Sequence, residues 1–258
     1  MSLLRTAFLR ATARTIPLVV ALVAAVPRPA VAQFGTNLIV NPDAEAGANA
    51  TCTTAGTVSG WAATGGHRVV AYGTGDYPAT TSPGPEQRGC GFFAGGASNA
   101  LSTLTQSVAL HTFDGLAALI DAGRVGFTLA GYLGGFANQD DFVTLSASFR
   151  GAADEVLGAA TLVGPNAAAR GGETGLFAMS TLGVLPSQTR SVQIVLTAQR
   201  TAGNANDGYA DNLAFTLAER VPTTTTPEPS ALALLATGGL AVGGVAARRR
   251  RRASGLAA

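Results

Sequence analysis

Five stretches of period-two alternation restrict this sequence more than any other feature. Leu104, Gln106, Val108 and Leu110 share one face, with Thr105 and Ser107 on the other; Val125, Phe127 and Leu129 alternate with Gly126, Thr128 and Ala130. Val143, Leu145, Ala147 and Phe149 alternate with Thr144, Ser146 and Ser148, and Val192, Ile194, Leu196 and Ala198 with Ser191, Gln193 and Thr197; Leu213, Phe215 and Leu217 close the series. Successive strand residues point to opposite faces, so the pattern predicts antiparallel sheets with one face in a core. Phe113 to Ala122 is the exception: Leu116, Leu119 and Ile120 recur at helical spacing and Gly123 supplies a stop. The expected fold is all-β, a β-sandwich with one short helix, over a domain of residues 33–220.

Both ends break this pattern. Residues 1–32 read as a cleaved signal peptide: Arg5, Arg10 and Arg14 precede an apolar run from Ile16 to Val26, and Ala30-Val31-Ala32 is a small-residue cleavage site. Residues 221–226 are a Thr/Pro linker. Residues 227–252 then run in fixed order through Pro227-Glu228-Pro229, an uncharged Ala/Leu/Val/Gly run from Ser230 to Ala247, and five arginines, Arg248 to Arg252; residues 253–258 form a short tail. Eighteen helical residues span roughly 27 Å, close to a hydrocarbon core, and the arginines halt transfer on the cytoplasmic side. All basic residues are arginine, and nine of them lie in these two ends. Between Gln33 and Thr226 eight arginines face fourteen acids, a net of −6. Such a domain is a poor nucleic-acid ligand, because phosphate neutralisation needs clustered cations.

The tail resembles the PEP-CTERM sorting signal of exported bacterial proteins. That resemblance implies recognition near Pro227, Glu228 and Pro229 by an exosortase-type processing protease, with the C-terminal helix holding the chain in the membrane before processing. The implied route is export, an inner-membrane intermediate, then the cell surface or extracellular matrix. An ordinary C-terminal anchor whose helix starts at Pro229 is the alternative.

The middle of the chain also resembles a family. Leu38-Ile39-Val40-Asn41-Pro42-Asp43-Ala44-Glu45, then Gly60-Trp61, Gly91-Phe92-Phe93-Ala94-Gly95-Gly96, a Gln106-containing strand and Asp207-Gly208-Tyr209-Ala210-Asp211-Asn212-Leu213 follow in an order similar to galactose-binding-like jelly rolls, the fold of many carbohydrate-binding modules. The resemblance implies a jelly roll and a polysaccharide partner, with Trp61, Tyr72 and Tyr77 as candidate stacking platforms. A lone tryptophan in a sandwich also suits the core, and that alternative stays open. The resemblance further implies a structural calcium joining first and last strands through Asn41, Asp43, Glu45 and Asp211. By parity Tyr209, Asp211, Leu213, Phe215 and Leu217 share one face, which turns Asp211 inward, where a carboxylate needs a partner. Acceptance of backbone N–H bonds in the Asn206-Asp207-Gly208 turn is the alternative for Asp211.

Cys52 and Cys90 are the only cysteines, and export places them in an oxidising compartment, so they are expected to pair. On the chain-entropy model the closed loop contributes ~4 kcal/mol. No catalytic residues can be assigned, and an enzyme is not expected. His67 and His111 are far apart without triad partners, and no nucleophile elbow, dinucleotide fingerprint or phosphate loop occurs. Asp140-Asp141 and Asp154-Glu155 are expected in solvated turns rather than facing each other across a cleft as a glycosidase requires. Three function classes follow: a surface or matrix protein binding carbohydrate, a purely structural or adhesive matrix component, and a polysaccharide hydrolase.

Overall fold

The computed structural model describes residues 28–29, 33–46 and 58–220. The expected sorting signal, most of the expected signal peptide, and Cys52 lie outside the described residues. Among those described, no helix is long and apolar enough to cross a membrane.

Twelve strands are described in chain order: β1 (Arg28–Pro29), β2 (Ala62–Thr64), β3 (Arg68–Ala71), β4 (Gly91–Gly96), β5 (Leu101–Ala109), β6 (Phe113–Asp114), β7 (Val125–Gly135), β8 (Phe142–Arg150), β9 (Val156–Val163), β10 (Gly175–Val184), β11 (Ser191–Gln199) and β12 (Asn206–Glu219). Two antiparallel five-stranded sheets face each other, ordered β10-β7-β12-β4-β3 and β2-β5-β11-β8-β9, and β1 pairs in parallel with β6 apart from them. The two-sheet sandwich with one short helix is as the alternation predicts. The helix, α1 (Leu116–Asp121), is shorter than Phe113 to Ala122 because Phe113–Asp114 is extended and Gly115 adopts φ 74° at its N-cap. It buries Leu116 and Ile120 and ends at Gly123, whose φ of 68° is the left-handed stop.

Register explains the core. Leu104 of β5, Leu196 of β11, Leu145 of β8 and Leu162 of β9 stand opposite one another in one continuous rung, all buried. From the facing sheet, Phe127 of β7 pairs with Leu217 of β12, and Leu129 with Phe215. Phe127 lies 4.8 Å from Phe149 of β8 between ring centroids, so the aromatic patch closes the gap between sheets. Each buried leucine contributes ~2 kcal/mol by leaving water.

The last strand departs from simple parity. Between Asp211 and Ala214 its register on β7 slips, three steps of β12 spanning the two from Tyr132 to Ala130, and Asn212 takes φ 45°. This bulge inverts the alternation. Leu213, Phe215 and Leu217 face the sandwich core, whereas Tyr209 belongs to a second apolar cluster on the opposite face of the sheet. Asp211 shares that face, since its carboxylate accepts from Tyr72, which packs on the same cluster. The inward placement expected for Asp211 is therefore corrected: it is fully buried, but on the far side of the sheet.

Candidate functional site

The outer face of the β10-β7-β12-β4-β3 sheet is covered because the chain between β3 and β4 crosses it before returning. Tyr72, Tyr77, Phe92 and Tyr209 meet there, with centroid separations of 4.8 Å for Tyr72–Phe92, 6.0 Å for Tyr77–Phe92 and 5.6 Å for Tyr77–Tyr209. Arg88 pins the excursion, donating to the carbonyls of Ala79, Ser82 and Pro85 and lying 5.2 Å from the Tyr72 ring centre. The Asn212 amide, presented by the bulge, donates to Gln87 O at 3.0 Å.

At the end of this cluster lies a cavity of about 340 Å³ lined by residues that include Asp76, Tyr77, Phe136, Gln139, Asp207 and Tyr209. Two buried charged side chains hold its rim. The Arg170 guanidinium, 2% exposed, donates to the carbonyls of Phe136, Ala137, Gln139, Pro165 and Glu173. Asp141 accepts from Thr201 N and Oγ1, Ala202 N and Asp207 N. Asp141 is thus fully buried and organises three segments, which corrects its expected place in a solvated turn. Asp140 and Asp154 do meet solvent.

Inside the cavity the Tyr209 hydroxyl donates to Asp207 Oδ1 at 2.8 Å, and burial raises both the Asp207 carboxyl and the Tyr209 phenol above their usual ranges. Beneath it, Arg68 donates to the Tyr77 hydroxyl at 2.9 Å and fixes that ring. Of the three expected platforms only Tyr77 lines the cavity. For Trp61 the structure takes the core alternative over the platform: it is 8% exposed, edge-on to Phe93 in the sandwich core, and its indole N–H donates to Asn41 O. Tyr72 is packed beneath the excursion, its hydroxyl bonded to Asp211. Phe136, Gln139, Asp207 and Tyr209 were not expected as site residues; only the Asp207-Gly208-Tyr209 opening of the last strand carried a trace of them.

Of the histidines, His67 is buried, its Nδ1 against Ala94 O, and burial pulls its pKa down to about 4; His111 is exposed. Neither lines the cavity.

The opening turn that carries Asn41, Asp43 and Glu45 is joined to the last strand that carries Asp211. Leu213 N donates to Pro42 O at 2.9 Å, bolting the opening turn to β12. Burial pushes the Asp211 carboxyl up to about 8, with the negative charges of Asp43 and Glu45 adding to the shift. Its bonded partners are Tyr72 Oη at 2.6 Å and Asn212 N at 2.7 Å, and among the described residues no cationic side chain bonds it. The four side chains carry hard oxygens of the kind calcium takes. They are also engaged: Asn41 Oδ1 accepts from Ala46 N, Asp43 Oδ1 from Glu45 N, and Glu45 Oε1 from Cys90 N and Gly91 N. Among the described residues no three acidic, histidine or cysteine side chains converge as a metal group, so an ion here would draw on backbone carbonyls as well. Cys90 is not a free thiol; the expected partner, Cys52, lies outside the described residues.

Residues 225–252 match the model of the PEP-CTERM protein-sorting motif. The chain thus carries the signal of exported, exosortase-processed cell-surface proteins. The described domain is similar in fold to a family 16 carbohydrate-binding module, with 19% identity, a TM-score of 0.41, and coverage of 70% of this chain and 99% of that one. It is similar to the module TmCBM61, solved in complex with beta-1,4-galactotriose, with 14% identity, a TM-score of 0.40, and coverage of 72% and 99%. It is also similar to the enzymatically active domain of tailspike protein 4 from bacteriophage CBA120, with 12% identity and a TM-score of 0.44; that match covers 70% of this chain and spans only 21% of the tailspike chain. A search of curated proteins returns no match. At these identities and TM-scores the likenesses assign no role to this chain.

Proposed function

We propose that this chain is a cell-surface or extracellular-matrix protein whose sandwich binds carbohydrate without catalysis, in the cavity beside Tyr77. The observation that carries this reading is one recess lined by aromatic residues together with carboxylate and amide side chains. Tyr77 and Phe136 offer apolar faces to the C–H face of a sugar. Asp76, Gln139 and Asp207 offer the paired acceptors and amide that vicinal hydroxyls use. The excess of acids makes a neutral glycan the better fit. An exosortase-type protease is the processing partner. We also assign to this reading a structural calcium at the Asp211 corner, held by Asp211 and the Asn41, Asp43 and Glu45 turn, where its charge would offset mutual carboxylate repulsion.

The test is calorimetric titration of the protein against a panel of neutral and acidic polysaccharides, followed by Tyr77→Ala and Asp207→Asn. Loss of at least tenfold in affinity for a neutral glycan in both variants is expected. If no polysaccharide binds, or both variants bind as wild type, the cavity is not a sugar site and the structural-component reading replaces it. Release of reducing ends that Asp207→Asn abolishes would replace it with a hydrolase.

A further inference from the structure

The four sheet edges are treated very differently. On one side of the sandwich the edge strands are β3, four residues long and carrying Arg68, and β2, only three residues long. On the other side they are β9, eight residues, and β10, ten residues, without one charged residue or proline in either. Exposed strand edges are ordinarily blunted by shortness, charge, proline or cover, because their free N–H and C=O groups template pairing with another chain. Two edges follow that rule and two do not.

Backbone pairing shows which groups of β10 are free. Leu185 N donates to Val125 O on the β7 side, whereas Leu176 N points the other way, to Pro83 O at 2.9 Å. Odd-numbered residues therefore bond β7 and even-numbered ones face outward. At its start the edge is capped: a side chain at Gly175 would meet Pro83 O at 2.8 Å. From Ala178 to Val184 the outward N–H and C=O groups have no partner among the described residues. Beside them Leu182 is 82% exposed and Val184 40%.

We infer that β10 is a self-association seam, and that its occupant is β10 of a second copy of this chain, antiparallel about a two-fold axis. The fit is chemical and electrostatic. A strand edge is self-complementary under such an axis, each outward residue giving an N–H and taking one, so that two five-stranded sheets become continuous. A domain with a net of −6 repels its own copies, yet none of its acids or arginines lies in β9 or β10. The approach is along neutral strips, with Leu182 and Val184 of the two copies covering one another.

Sedimentation velocity of the exported protein, recovered from the producing cell surface, tests this across a concentration series. Wild type should shift from monomer to dimer or higher assembly with concentration. Ser180→Pro removes one outward N–H without touching the β7 ladder, and Leu182→Lys puts a charge on the seam; each should weaken assembly at least tenfold with an unchanged circular dichroism spectrum. Leu101→Lys, which charges an exposed apolar residue on an interior strand, should assemble as wild type. Should Ser180→Pro fail to fold, Leu182→Lys alone decides. A wild-type protein still monomeric at about 100 µM would overturn the inference. So would assembly that Leu182→Lys leaves intact, or that Leu101→Lys weakens equally.

Discussion

The two faces of the β10-β7-β12-β4-β3 sheet follow different chemistry. Facing the second sheet, Phe127, Leu129, Phe215 and Leu217 belong to one buried apolar cluster, and stability there comes from area removed from water. On the outer face an apolar cluster of similar aromatic character admits Asp207 and Asp211, both buried, beside Tyr72, Tyr77 and Tyr209. A covering excursion, rather than a second sheet, excludes water there. Its loops can reach polar groups and leave a recess. One sheet therefore serves as scaffold on one face and as a candidate binding surface on the other.

Several experiments would break or sharpen that contrast. Leu145→Ala removes the centre of the leucine rung and should cost ~2–5 kcal/mol in denaturant unfolding while leaving glycan affinity unchanged. A loss of binding with retained stability would mean the faces are not separate. Next in size is the loop that feeds the outer face. If Cys52 and Cys90 pair, alkylation without reduction should label neither, and reduction should lower stability by ~2–4 kcal/mol; stoichiometric labelling of the unreduced protein would refute the pairing.

On the alkaline side of pH 6.5 the pH response should belong to the outer face. Because the folded pKa of Asp211 is about 8, above its usual carboxylate value, folded protein holds a proton there that unfolded chain does not. Its contribution is therefore greatest at acid pH and is lost as pH rises through the ordinary carboxylate range to about 8, at up to ~1.4 kcal/mol per pH unit. Between pH 4 and 6.5 buried His67, whose pKa is lowered to about 4, contributes the opposite slope, so melting of chelated protein should show this fall chiefly between pH 6.5 and 8, and Asp211→Asn should flatten it there. A bound calcium ion would flatten it too by stabilising the carboxylate, and would raise the melting temperature in wild type but not in Asp211→Ala. Identical melting curves with chelator and with excess calcium would remove the ion from the reading. The smallest effect is expected from Asp76→Asn on the exposed rim: stability within ~0.5 kcal/mol of wild type, with weakened glycan binding. An unchanged affinity would shift the site deeper, toward Asp207.

Alternation in the chain was enough to read the sandwich, because pleat geometry ties every second residue to one face; Leu104, Leu145 and Leu196 fell on the core side as their neighbours required. The Pro227-Glu228-Pro229 tail was equally readable, since a sorting signal is recognised as linear sequence. Asp211 was misplaced because parity carries through a strand only while the register holds, and one extra residue at Asn212 reverses it. Trp61 could not be assigned from composition, since the same ring suits a core or a platform until Phe93 and the Asn41 carbonyl claim it. The cavity was less legible still. Phe136 and Gln139 owe their positions to Arg170, and Asp207 to Asp141. Those buried charges act across segments distant in the chain, so only the folded chain decides what they hold.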